Sequence, residues 1–387
     1  MNSLKKILKL LFDASTTAIL SPVYFLSGLV SRDPKKIVFG CHLKHPAGNI
    51  FSFYKHCLEA NDGKKMLWIA ANEETYQKLK EENLPTLRKN SIHGIHACLT
   101  AQFFCYSSYI SDINFTLSRN AKPINLWHGT PLKKIEADIK TGIYSIRYKH
   151  PKTFTLIQPW IFVRPYKVLV SSDYESNCFK TAFKITDTQL YRSFPPRLIG
   201  LTPKTKQDEN NKKILLAPTF RDGSNTKYEN LVNLEKINNY CRKNKITITI
   251  KAHPSDKSFD NLNLENLSNI NISDKLTNIY TLLPKADLVI TDYSSIFFDC
   301  HYLSIPFILH WPDLEFYTKN CREFYFSPET DLFESITNND DDLIKKISES
   351  FKTHNTSKLN FFKQYELAED YPLGIFREEN PTTTRQE

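Results

Sequence analysis

Short apolar runs of strand-forming residues, each breaking off in polar side chains and each separated from the next by a longer helical or polar stretch, restrict this chain most. In the first half they are Ile37-Val38-Phe39, Leu67-Trp68-Ile69-Ala70, Tyr109-Ile110-Ser111, Ile124 to Trp127 and Val168-Leu169-Val170. In the second half they are Ile214-Leu215-Leu216-Ala217, Ile246 to Ile250, Leu288-Val289-Ile290 and Phe307-Ile308-Leu309, with helices expected near 229–242 and 296–303. This alternation is that of parallel sheets covered by helices, an α/β fold. The polar, strand-poor segment 201–213 (LTPKTKQDENNKK) divides the two series as a linker. The expected organisation is therefore an N-terminal α/β domain over 34–200 and a C-terminal one over 214–375. Two domains suit a chain of 387 residues at roughly 150 residues each.

Ligands of open α/β sheets bind beyond the carboxyl ends of the strands, so the residues following each run matter most. Asn125-Leu126-Trp127-His128-Gly129-Thr130-Pro131-Leu132-Lys133-Lys134 reads as a strand end running into a helix. Gly129 permits a tight turn, Thr130 caps, and Pro131 takes the first helical position. His128 would stand at the mouth of the sheet. Lys133 and Lys134 would place positive charge in a first turn, where helices disfavour it, which points to an anionic ligand or surface. The first run leads into Gly40 to Asn49, a loop with His42 and His45. Both fit an ordinary polar loop as well as a site. In the second half, three strands end in Pro218-Thr219-Phe220-Arg221-Asp222, Lys251-Ala252-His253-Pro254 and Thr291-Asp292-Tyr293-Ser294-Ser295. The last precedes an apolar helix, where hydroxyls and backbone N–H groups can hold phosphate oxygens or simply cap the helix.

The formal net charge of +9 points to an anionic partner: nucleic acid, an anionic membrane or a phosphorylated substrate. The basic residues are dispersed and no recognition motif appears, which argues against nucleic acid. Eight cysteines without a C-x-x-C pair signal neither a zinc site nor a disulfide framework, and reduced cytoplasmic thiols are the simpler reading.

The amino terminus is a basic amphipathic helix in pattern, with Leu4, Ile7, Leu8 and Leu11 on one face and Lys5, Lys6 and Lys9 elsewhere. An uncharged run from Ala14 to Ser31 follows, interrupted by Pro22 and near the ~20 residues that a span requires. No small-residue cleavage site marks a removable signal. Residues 1–33 are thus a membrane-associated segment that lies on the bilayer, crosses it, or packs on the protein. Residues 143–167 mix Tyr144, Tyr148, Phe154, Trp160 and Phe162 with Arg147, Lys149, Lys152, Arg164 and Lys167, a composition suited to an anionic interface or to a connector packed on its own sheet. At the other end an acidic start at Asp340 leads a helix to about 352. A further helix is expected over 356–370, packing back near the first domain, before a disordered tail at 376–387.

Four of these motifs, Asn125 to Lys133, Ala217 to Asp222, Lys251 to Pro254 and Ile290 to Ser295 with Asp299, together resemble the CDP-glycerol glycerophosphotransferase family of teichoic acid and capsule synthesis. They occur in the family's order over roughly residues 35–330. The resemblance implies two Rossmann-like domains in a GT-B-like arrangement. It also implies a cleft site between them and peripheral attachment to the cytoplasmic face of a bacterial cell membrane. It assigns His128 and His253 as catalytic and places the cytidine diphosphate against Thr219, Arg221, His253 and the Thr291–Ser295 turn. Gly129, Thr130, Pro131, Arg197, Pro218, Lys251, Asp299 and Arg322 are further substrate-binding candidates. Asp313, Tyr317 and Arg322-Glu323-Phe324-Tyr325 match a later family element with Glu323 in place of glycine, and Pro196-Arg197 is followed by Leu198 in place of asparagine.

The expected reaction moves glycerol phosphate from CDP-glycerol to a hydroxyl of a lipid-linked glycan or growing polyol-phosphate polymer, releasing CMP. Histidine suits the base, either His128 or His253, and the other would steady the phosphates. No acidic cluster marks a dedicated metal cage, and a magnesium ion carried by the donor diphosphate would fall to Asp292 and Asp299. CDP-ribitol is the alternative donor. A nucleotide-sugar glycosyltransferase of the same architecture, releasing CDP or UDP, and a noncatalytic membrane-bound nucleotide-binding protein are the rival readings.

Overall fold

The computed structural model describes residues 2–377 apart from 42–45, 61, 143, 204–209, 220–230, 253–255, 257–258, 260–262, 321–322, 354–358 and 360. Two parallel sheets form its frame. The first has seven strands in the order β3-β2-β1-β4-β5-β6-β7. They are β1 (Asp33–Gly40), β2 (Lys65–Ala70), β3 (Thr86–Arg88), β4 (Ala101–Tyr106), β5 (Lys122–Asn125), β6 (Lys167–Val170) and β7 (Leu190–Arg192). The second has six, β10-β9-β8-β11-β12-β13: β8 (Lys212–Ala217), β9 (Ile246–Ile250), β10 (Ile270–Ile272), β11 (Leu288–Thr291), β12 (Phe307–His310) and β13 (Ile336–Thr337). Two facing Rossmann-like domains with carboxyl strand ends turned to a shared cleft constitute the expected GT-B-like arrangement.

The strands form where branched and aromatic residues can be buried on both faces. In β1, Ile37, Val38 and Phe39 are fully buried, as are Ile246, Ile248 and Ile250 in β9, whose alternating threonines point to the less covered face. Helices start where short polar side chains cap them, as Ser172 does for Asp173–Phe183 by accepting from Glu175 N–H.

Several expectations give way to the structure. The strand expected at 109–111 is a 3-10 turn, Ile110–Asp112, because the Asp112 carboxylate accepts from the Ser108 and Tyr109 N–H groups and folds the chain back. The strand that flanks β1 on the side away from β2 is instead β4, whose Phe103, Phe104 and Cys105 are buried. β3, β7, β10 and β13 are short strands at or near the sheet edges that the sequence did not suggest. The helix expected over 356–370 is absent from the described residues. Over 361–370 the chain runs without regular structure: Phe362 packs on Phe298 and Tyr302, Gln364 forms an isolated antiparallel bridge to Ser172, and Ile375 and Phe376 then join the first-domain core beside Phe53 and Phe103. The tail beyond residue 377 lies outside the described residues.

The amino-terminal helix, Asn2–Ser27, is docked on the body. Thr17 Oγ1 donates to the Ile157 carbonyl, Gln158 Nε2 donates to Asp13, and Tyr24 stacks on Phe115. Its partner is the Pro151–Ile157 helix from the aromatic and basic stretch. At the junction with β1, the Arg32 guanidinium donates to the carbonyls of Cys98, Ala101, Leu117 and Arg119, and burial pulls its pKa down to about 10.

Candidate functional site

A cleft of about 1040 Å³ opens between the two domains. Its first-domain wall comes from the loop after β5. Asn125 Oδ1 accepts from Trp127 N–H, holding Trp127 in the left-handed region at φ 45°, an uncommon conformation for an aromatic residue. That turn swings His128 into the cleft, stacked on the Trp127 ring at 4.4 Å. The His128 Nδ1 lies 3.2 Å from the Ser107 carbonyl oxygen. A carbonyl can only accept, so Nδ1 carries the proton, and in the neutral ring Nε2 is left with its lone pair.

The loop that follows is not the helix expected of it. Thr130 Oγ1 donates to Glu175 instead of capping, and the chain runs extended to an antiparallel bridge between Lys133 and Phe324. Lys134 N–H is used on the Glu323 carbonyl, and Lys133 Nζ donates to the Tyr317 hydroxyl. The second domain therefore supplies the backbone partners a helix would have supplied locally. The anion site read from a helix start at Thr130 is not present.

The second-domain wall is made by the ends of β8, β9 and β11. Pro218, Thr219, Lys251, Ser294 and Ser295 line it, together with the loop at 275–279. Lys251 Nζ donates to the Ala252 and Lys275 carbonyls, tying that loop to the end of β9, and burial lowers its pKa from the ordinary value. Ser294 Oγ accepts from Ile296 N–H at the head of the Ile296–Tyr302 helix. The walls approach closely at Gly129, where an added Cβ would lie 3.2 Å from Ser295 Oγ.

The structure thus brings together His128, Gly129, Thr130, Pro131, Pro218, Thr219, Lys251, Ser294 and Ser295. Arg221, His253 and Arg322 lie outside the described residues, as do His42 and His45. Four expected substrate contacts are placed elsewhere. Thr291 and Asp292 are buried beneath the wall, Thr291 donating to the Ala217 carbonyl and Asp292 accepting from Thr219 N–H. Arg197 and Asp299 form a buried ion pair behind the cleft. Asp292 and Asp299 consequently do not fit the magnesium role expected of them, since both carboxylates are engaged inside the protein. Among the described residues no cluster of histidine, cysteine and carboxylate could hold a metal ion.

The cleft also contains residues that the sequence did not suggest. Glu136 lines it with φ 46°, and its carboxylate accepts from Tyr109 Oη at 2.8 Å and from Tyr148 Oη. Burial, reinforced by the neighbouring Glu136 charge, pushes both phenols well above their ordinary range. No local motif announces this cluster, because its members are joined only by the fold.

Paired Rossmann-like domains with a histidine facing a hydroxyl-rich turn across a cleft define a two-domain transferase of the GT-B-like class. The model of the CDP-glycerol:poly(glycerophosphate) glycerophosphotransferase family matches residues 23–369, and the chain belongs to that family. It is 26% identical over 337 residues to a teichoic acid poly(glycerol phosphate) polymerase of Bacillus spizizenii, covering 80% of this chain and 82% of the other. It is 24% identical to a teichoic acid glycerol-phosphate transferase of Staphylococcus aureus, covering 90% and 93% respectively. In fold it is similar to a variant of the wall teichoic acid polymerase TagF, with a TM-score of 0.65 and 20% identity over 90% of this chain and 89% of that one.

Proposed function

We propose that the protein transfers glycerol phosphate from CDP-glycerol to a hydroxyl of a lipid-linked glycan or polyol-phosphate chain and releases CMP. The observation that carries this reading is His128, whose Nδ1 is committed to the Ser107 carbonyl and whose ring faces the serine turn across the cleft. Nε2 takes the proton of the acceptor hydroxyl as its oxygen bonds to the β-phosphorus. The bond from that phosphorus to the bridging oxygen breaks, and the electron pair leaves with CMP. The donor phosphates rest against Ser294, Ser295, Thr219 and Lys251, and the family resemblance assigns His253 and Arg221 to the same diphosphate. Fixed donors of this kind act on charge as it shifts to the leaving phosphate.

The same reading places the enzyme on the cytoplasmic face of the membrane. The stretch Leu10–Ser27 is long and apolar enough to cross a bilayer, with mean hydropathy 1.3, and it bears exposed Leu11, Phe12, Ile19, Phe25 and Leu26. Its hydrogen bonds to Ile157 and Gln158 favour a helix lying along the surface over one that crosses, because crossing would draw Asp13 out of its polar contact.

The test is CMP release from CDP-glycerol with lipid-linked and capsule-type acceptors, with CDP-ribitol as competing donor. Acceptor-dependent CMP that disappears in His128→Ala supports the assignment and names the polyol. Tight nucleotide binding with no CMP across the panel would favour the glycosyltransferase or binding-protein readings.

A further inference from the structure

Behind the cleft, Arg197 occupies a position that its place in the sequence does not suggest. It lies at the crossover from the first domain to the second, in the 3-10 turn Pro196–Leu198, and its side chain is buried. One arm of the guanidinium reaches Asn49, with Nη1 to Oδ1 at 2.9 Å. The other forks onto Asp299, through Nε at 3.2 Å and through Nη2. Burial works against the guanidinium charge, and Asp299 with Tyr280 and Glu175 outweighs it, so Arg197 holds its proton more firmly than an ordinary arginine.

Each partner leads to one wall of the cleft. Asn49 donates through Nδ2 to the Leu126 carbonyl at 3.0 Å, two residues before His128. Asp299 lies in the Ile296–Tyr302 helix, one turn beyond Ser295, and is steadied by the Tyr280 hydroxyl at 3.0 Å. Within the first domain, Thr130 Oγ1 donates to the buried Glu175 carboxylate at 2.5 Å, holding the far end of the His128 loop to its own domain. The chain from Leu126 through Asn49, Arg197 and Asp299 to the serine turn thus spans both domains with hydrogen bonds and a bidentate ion pair. A planar fork with donors on two sides is needed to serve both walls, which a lysine cannot do.

We infer that Arg197 is a positioning residue. It is buried and does not line the cleft, and it sets the register of the His128 loop against the Ser294–Ser295 turn. The reacting groups come from different domains, and transfer is sensitive to misplacement of about 1 Å. The donor wall belongs to the second domain alone, so nucleotide binding survives loss of the clamp while turnover does not.

This inference rests on the phosphotransfer reading for its kinetic arm, and a structural arm stands without it. Arg197→Lys keeps the charge on Asp299 and gives up the arm to Asn49. It should lower kcat for CMP release at least tenfold, with KM for CDP-glycerol and the affinity for CDP within threefold of wild type. The pair Arg197→Met with Asp299→Leu replaces a buried ion pair by apolar groups, a change that proteins often tolerate. It should fold, bind CDP and show the same loss of kcat. Spin labels at exposed Lys80 and Glu265, in a Cys321→Ser background, report the separation of the domains. A single narrow distance in wild type should broaden or shift in both variants. Wild-type kcat in the Met/Leu pair, or an unchanged distance distribution in it, would overturn the inference. A wild-type enzyme that releases no CMP yet shows the distance change would defeat the proposed reaction and leave the clamp standing.

Discussion

Gly129 and Ser295 face each other across the domain boundary, close enough that one added methyl on the glycine would press on the serine hydroxyl at 3.2 Å. Gly129 also has φ 155°, a conformation L-residues rarely adopt. Gly129→Ala should therefore be strained by roughly 1–3 kcal/mol, and relief would push the His128 loop away from the serine turn. The expected result is a drop in CMP release of tenfold or more with nucleotide affinity retained. Adding Ser295→Gly removes the steric part of that cost, and partial recovery of turnover in the double variant identifies the contact as the cause. Full turnover in Gly129→Ala alone would show that the close approach is not needed.

His128 is exposed to the cleft, stacked on Trp127 and bonded through Nδ1 to the Ser107 carbonyl. His128→Gln should lower kcat by roughly 10²–10⁴, the range of a lost general base, while leaving the melting temperature within a few degrees. Asn125→Ala provides a second view of the same geometry, because it removes the acceptor that holds the Trp127 turn. Its kcat should fall less than that of His128→Gln. Equal activity of Asn125→Ala and wild type would mean that the turn persists without its side-chain bond.

These residues differ in how far the sequence announces them. The strand ends at Thr219, Lys251 and Ser294–Ser295 are legible because an apolar run followed by polar residues is a local signal, and the structure places all of them on the cleft. β4 was hidden because Ala101 to Tyr106 continues the apolar pattern of the preceding Ile92–Thr100 helix, and a doubly buried strand has no alternation to betray it. The false helix after Gly129 follows from trusting a capping threonine and a proline. What overrides them is the bridge from Lys133 to Phe324, which no local window contains. Arg197 and Asp299 carry the right chemistry for phosphate contacts. Only the fold shows that they neutralise each other, 102 residues apart in the chain.

Arg32 joins the amino-terminal helix region to the sheet through four backbone carbonyls. Arg32→Met leaves these acceptors without their charged donor, at about 1–3 kcal/mol for each group left buried and unsatisfied. Some will find water, so a net loss of about 2–4 kcal/mol is expected by denaturant unfolding. Arg32→Lys, with one ammonium in place of a fork, should recover less than half of it. An unfolding midpoint for Arg32→Met equal to wild type would mean that solvent replaces the guanidinium at no cost.

Glu175 gives the stability of the first domain a dependence on pH. Its carboxylate is fully buried, accepting from Thr130 Oγ1 and from Ser171 N–H at 2.6 Å. Burial raises its pKa above the ordinary 4.5, against the opposing pull of Thr130 and Arg197. The folded protein therefore retains a proton that the unfolded chain releases near 4.5, so folding takes up a proton as the pH rises through that range. The stabilisation from this group is complete below the unfolded pKa and is lost as pH climbs through the folded one, at about 1.4 kcal/mol per unit of separation. Glu175→Gln keeps the shape, accepts from Ser171 N–H through its oxygen and donates to Thr130, and it does not titrate. The melting temperature of wild type minus that of Glu175→Gln should decline from pH 4 upward and level off once the native carboxyl has ionised. A difference that stays flat from pH 4 to 8 would place the Glu175 pKa at its ordinary value, and one that rises with pH would reverse the sign argued from its burial.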